Sequence, residues 1–220
     1  MPVDFVFDEE LHLYTRSDGL IVPSVTQVLQ EVGLVCYDGI DPEVLSRKAD
    51  LGTAVHKAAW YYDDGDLDAN SVAPEILSYL TAWVRFREEA RFTPRKCETR
   101  GIATIDGMEY GYTFDRDGFL GEKPVLLDIK CTAAVEISWG PQTAAYEHAL
   151  RQQDGIVRQR AAVHLKPNGT YSLCPFKEAR DYQVWKWALA LVYWKAAKGK
   201  LEIAKRRYHK RKESQSWQPQ

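Results

Sequence analysis

The sequence predicts an α/β sandwich: a mixed central β-sheet flanked by helices. Three observations carry that prediction. Apolar residues recur at helical spacing in residues 24–91, and the period shifts to two over residues 98–129. Asp106-Gly107 lies between two alternating runs and is the strongest short hairpin signal in the chain. Val125–Ile129 is a short apolar run of the kind a sheet buries, and a helical pattern follows it.

Taken in order, Val3–Phe7 and His12–Thr15 flank an acidic turn and predict a hairpin, with a second turn at Ser17-Asp18-Gly19. Ser24 is placed to cap a helix whose apolar face is Val25, Val28, Leu29 and Val32. Asp41-Pro42 opens a helical region reaching about Tyr62, which the acidic segment Asp63–Asp68 ends. Pro74–Arg91 is amphipathic. Glu98–Ile105 and Met108–Phe114 predict the central hairpin, and Arg116-Asp117-Gly118 reads as a turn before the Val125–Ile129 strand. A helix over about Pro141–Gln153 comes next. Arg160–Lys166 and Tyr171–Phe176, joined by Pro167-Asn168-Gly169, then predict another hairpin, and a long aromatic helix runs from about Glu178 to Ala197. Residues 1–200 read as one domain and 201–220 as a basic tail.

The composition excludes several classes. At 220 residues, 45% hydrophobic and 27% charged, the chain suits one ordinary globular domain. No apolar run approaches the roughly 20 residues that cross a bilayer, and the N-terminus lacks the features of a secretion signal. Cys36, Cys97, Cys131 and Cys174 lie far apart with no CxxC pair, which predicts reduced thiols in an intracellular protein and no iron–sulfur cluster. The net charge is −2, but Lys195–Glu213 holds nine Lys or Arg against two Glu. Lys205, Arg206, Arg207, Lys210, Arg211 and Lys212 form the densest stretch. Such a tail suits phosphate contact, and a solvated terminus is the plainer alternative.

The chemistry-bearing stretch is Gly111–Asp115 followed by Leu127–Lys130. Alternate side chains on a strand share a face, so Asp128 and Lys130 project together while Ile129 packs on the other side. Asp115 is expected at the end of the neighbouring strand, where a hairpin brings it beside Asp128. Paired carboxylates repel unless a hard cation lies between them, which suits Mg²⁺ or Mn²⁺. Asp-x-Lys by itself carries little weight, since a chain of this composition holds roughly one by chance. Its place at the close of an apolar strand gives it weight. His56 stands one helical turn after Gly52, which is expected to permit close backbone approach, and can face the carboxylates as a metal ligand. Gln142 and Tyr146 repeat the spacing on the next helix. Glu98 is a further candidate for an outer contact, and Trp60 and Trp139 are placed either to pack in the core or to stack on bases.

The ordered motifs Gly52–His56, Gly111–Asp115, Leu126–Lys130 and Gln142–Tyr146 resemble those of the RecB-like branch of the PD-(D/E)xK nucleases. That branch includes Cas4-type proteins, phage-type exonucleases and the mitochondrial genome-maintenance exonuclease, and Val22–Leu29 also resembles the N-terminal region of its stand-alone exonuclease members. That resemblance spans roughly residues 20–176 and implies a restriction-endonuclease-like core. It also implies an Mg²⁺- or Mn²⁺-dependent deoxyribonuclease acting on DNA ends or single strands. In it His56, Asp115, Asp128 and the Ile129 carbonyl hold the metal, Lys130 is the catalytic lysine, and Gln142 and Tyr146 support it. Cluster-binding cysteines of other members are missing, as is a Walker A motif, so any helicase would be a separate chain. The small format suits a phage setting with replication or recombination partners. A non-catalytic DNA-binding or recombination-accessory protein with the same fold remains open, as does RNA as substrate.

Overall fold

The central sheet grows from two antiparallel ribbons joined by one crossover. The computed structural model describes residues 4–9 and 11–201. Strands β4 (Phe92–Ile105) and β5 (Met108–Leu120) turn at Asp106 and Gly107, whose φ of 49° and 78° meet the left-handed demand of a tight hairpin. Strand β6 (Lys123–Lys130) pairs antiparallel with β5. Helix α4 (Trp139–Asp154) carries the chain across to β7 (Gln159–Leu165), which lies parallel to β6, and β8 (Tyr171–Phe176) closes the β4-β5-β6-β7-β8 order. At the N-terminus β1 (Phe5–Asp8), β2 (Leu13–Arg16) and a short β3 (Ile21–Val22) form a second sheet, one strand more than the hairpin expected there.

Two of the helices start at side-chain caps. Ser24 accepts from the Gln27 amide at 3.2 Å while Gln27 Oε1 accepts from the Ser24 amide at 2.8 Å, a reciprocal box that opens α1 (Val25–Glu31). Asp41 caps α2 (Pro42–Asp64), and Pro74 is the first residue of α3 (Pro74–Glu89). Helix α5 (Arg180–Ala197) is the last element. No helix among the described residues is long and apolar enough to cross a membrane.

Two cores sandwich the sheet. Val25, Leu29, Tyr110, Phe114, Leu126, Ala145, Leu150 and Trp185 bring α1, α4 and α5 onto one face. Val55, Leu80, Trp83, Phe86, Leu127, Ile129 and Val163 bring α2 and α3 onto the other. Each fully buried aliphatic side chain here contributes about 1.5–3 kcal/mol. This is the mixed α/β architecture that the period changes predict.

The turn expected at Arg116-Asp117-Gly118 is not formed, because β5 continues through it and the chain reverses after Leu120. The three polar-looking residues are internal. Arg116 and Asp117 are buried and ion-paired, Asp117 to Arg158 at 2.6 Å and to Arg95. A Cβ at Gly118 would lie 2.2 Å from the Thr93 carbonyl oxygen, so only glycine lets the two strands approach there. Asp115 is therefore mid-strand rather than terminal. Alternation also breaks at it: Phe114 packs in the α1–α4–α5 core, whereas Arg116 reaches Asp63 of α2 and the Trp83 ring of α3. Across from this break, between the pairs Cys97↔Arg116 and Thr99↔Phe114, Glu98 has a φ of 44°.

Candidate active site

The site lies where β4, β5 and β6 meet α2 and α4. Asp128 and Lys130 share the α4 face of β6, as the strand period predicts, with Nζ 2.8 Å from Asp128 Oδ2. That contact is an ion pair without hydrogen-bond alignment, and Oδ2 is a buried oxygen with no aligned donor. Lys130 Nζ instead donates to Gln142 Oε1 at 2.8 Å, and Gln142 Nε2 donates to the Tyr146 hydroxyl at 3.0 Å. The i, i+4 spacing on α4 thus makes one relay behind the lysine. Trp139 is buried with its ring 5.9 Å from Nζ, so it is a core residue, whereas Trp60 is 40% exposed.

Asp115 Oδ2 accepts the Ile129 amide at 2.6 Å, tying β5 to β6 just beyond their last paired residues. Its Oδ1 lies 3.4 Å from His56 Nδ1, and Glu98 Oε1 lies 3.7 Å from the same nitrogen. His56 Nε2 donates to the Ile129 carbonyl at 3.0 Å, since a carbonyl oxygen only accepts. That bond aims Nδ1 at the carboxylates. The expected metal-ligand carbonyl of Ile129 is here the acceptor that orients His56. The close approach expected at Gly52 is absent, as nothing lies within 4 Å of where its Cβ would be. The tail residues Lys205–Lys212 lie outside the described residues.

Charge coupling runs through the group. Burial pushes Asp128 above the usual carboxylate range, and Asp115 adds to this against Lys130. Burial also acts to raise Asp115, but His56 and Lys130 outweigh it and hold Asp115 low. For His56, burial acts downward while Asp115 and Glu98 lift it to about 10. The imidazole is then a cation between two carboxylates. Lys130 is held above the ordinary lysine value by Asp128 and Asp115 against its burial. Burial and the same two carboxylates hold the Tyr146 hydroxyl well above 10.

A divalent metal fits these residues. One nitrogen or oxygen from each of His56, Glu98 and Asp115 lies within 4.8 Å of the others, a mixed imidazole–carboxylate donor set. Asp128 Oδ2, buried and without an aligned donor, stands outside that set of three, though Asp115 and His56 both act on its charge. Glu98 thus stands inside the cluster, closer in than the outer contact its place in the sequence suggests.

Arg116 touches this group and Asp63 stands behind it; both escape a reading of the sequence. Arg116 Nη1 donates to Glu98 Oε1 at 3.2 Å and to the Asp115 carbonyl at 2.7 Å, and Asp63 accepts from Arg116 Nε at 2.6 Å. The one sequence signal for them is an arginine directly after an aspartate in a run otherwise rich in aromatics and glycine.

No family model and no curated protein matches this chain. Among solved structures, a candidate exonuclease from Eubacterium rectale superposes with a TM-score of 0.53 at 9% identity, covering 82% of this chain and 83% of that one. A second structure, SSO0001, gives a TM-score of only 0.34 at 12% identity over 76% of this chain and 82% of its own, too low to establish a common architecture. At such identity the first likeness speaks to fold alone. The chain shares the overall fold of that structure.

Proposed function

We propose that this protein is a divalent-metal-dependent nuclease, an exonuclease acting on DNA ends or single strands, with Mg²⁺ or Mn²⁺ as cofactor. The observation that carries this reading is the meeting of the His56–Glu98–Asp115 donor set with the Asp128–Lys130 pair at one place on the sheet. The fold shared with a candidate exonuclease supports it.

His56, Glu98, Asp115 and Asp128 would hold the ion, whose chemistry when bound would be to polarise a phosphodiester and lower the pKa of a water. Lys130, ion-paired with Asp128 at 2.8 Å and bonded to Gln142, would balance charge on a phosphate oxygen or orient the attacking water. Gln142 fixes the direction of that ammonium and Tyr146 fixes Gln142. The bond from His56 Nε2 to the Ile129 carbonyl would orient its Nδ1 as a ligand.

The test is digestion of end-labelled linear, circular and single-stranded DNA, with RNA as competitor, in Mg²⁺, Mn²⁺ or EDTA. Expected are cleavage only with metal, resistance of circles, and a loss of about a thousandfold in Lys130→Ala, the scale of removing a charge-stabilising group. Cleavage in EDTA, or an unimpaired Lys130→Ala, overturns the mechanism. Tight DNA binding with no turnover in any metal points instead to the non-catalytic accessory role.

A further inference from the structure

We propose that Arg116, anchored by Asp63, is a positioning residue that holds Glu98 in the metal site and thereby sets metal affinity. The proposal rests on the functional reading above. The Arg116 side chain is fully buried and that of Asp63 is 1% exposed. Burying a guanidinium is unfavourable unless its donors are matched, yet Nη2 of Arg116 has no partner. Its other contacts are directed. Nη1 bridges the Asp115 carbonyl and the Glu98 carboxylate, so one cation grips the backbone of one candidate ligand and the side chain of another.

Glu98 needs such a grip. Its φ of 44° is a left-handed conformation that non-glycine residues keep only when their surroundings enforce it. Its carboxylate is 25% exposed and, besides Arg116, has His56 Nδ1 near it at 3.7 Å. Asp63 in turn is fixed from α3, accepting from Trp83 Nε1 at 3.1 Å and from Arg87. The Trp83 ring lies 5.5 Å from the Arg116 guanidinium. A chain of contacts therefore leads from α3 through the end of α2 to β5, then to Glu98 on β4.

The experiment titrates Mn²⁺ into the metal-free full chain by calorimetry, comparing wild type with Asp63→Asn, Arg116→Lys, Glu98→Gln and the Asp63→Asn/Glu98→Gln double variant. Each is first checked for a cooperative melt in EDTA. Asp63→Asn and Arg116→Lys are expected to weaken Mn²⁺ binding about tenfold or more, the usual scale for residues that orient ligands. In the Glu98→Gln background Asp63→Asn should add nothing, because its effect passes through Glu98. Wild-type affinity in folded Asp63→Asn, which is nearly isosteric, overturns the proposal even if Arg116→Lys does not fold. Additive losses in the double variant also overturn it, as they mark a merely structural pair. A wild type that binds no Mn²⁺ fails at the functional reading itself and takes the proposal with it.

Discussion

At the residue scale His56 is the most informative side chain, because its two nitrogens have different duties. Nε2 is committed to the Ile129 carbonyl, and Nδ1 faces Asp115 and Glu98. In metal-free protein the folded pKa of about 10 stands above the ordinary value of 6.5. A raised histidine contributes stability fully below pH 6.5 and loses it as pH rises through about 10. Melting in EDTA should therefore show stability falling between pH 7 and 10, with a visibly shallower fall in His56→Asn. Identical slopes would show that His56 is neutral in the folded protein. Side chains whose placement follows from periodicity, such as Asp128, Lys130, Gln142 and Tyr146, were legible in the sequence. Glu98 was less so, because a left-handed backbone leaves no periodic trace.

At the element scale, β5 departs most from what its residues suggest. Arg116, Asp117 and Gly118 have turn chemistry when taken singly, and charge usually marks solvent. Only partners remote in sequence, Asp63, Arg95 and Arg158, make the segment a buried strand. Gly118→Ala tests how firmly that strand is held. The added methyl would meet the Thr93 carbonyl oxygen at 2.2 Å and the Phe92 ring at 2.8 Å, beside the irregularity between Pro94 and Lys96. Backbone cannot step aside as a flexible side chain can, so a loss of about 1–3 kcal/mol is expected in urea denaturation. Wild-type stability would mean that β4 and β5 can slide at this point.

At the scale of the whole molecule, the candidate site sits on the seam between the two cores. α2 delivers His56 from one side and α4 delivers Gln142 from the other. The sandwich was legible because element order and period survive without knowledge of contacts, and a helix between two strands already implies a crossover. The seam was not, since it depends on the break in alternation at Asp115. The basic tail belongs to this scale too. Residues 205–220 hold six Lys or Arg and one Glu. Deleting them should weaken DNA binding and lower the salt slope of log affinity by up to about five, while single-turnover cleavage persists. An unchanged slope would make the tail a bystander.

The contacts across the seam differ greatly in the length of chain they close. Lys130 and Gln142 are 12 residues apart, whereas His56 and Ile129 are separated by 73. Closing the longer loop costs about 1.6 kcal/mol more in chain entropy, from the logarithmic dependence on loop length. The lysine end is thus expected to assemble early from neighbouring segments, and the histidine to dock late, after α2 has settled on the sheet. Under that order a nascent or half-refolded chain carries its lysine relay but lacks the imidazole corner of the candidate donor set, so the proposed metal site is completed only with the finished fold.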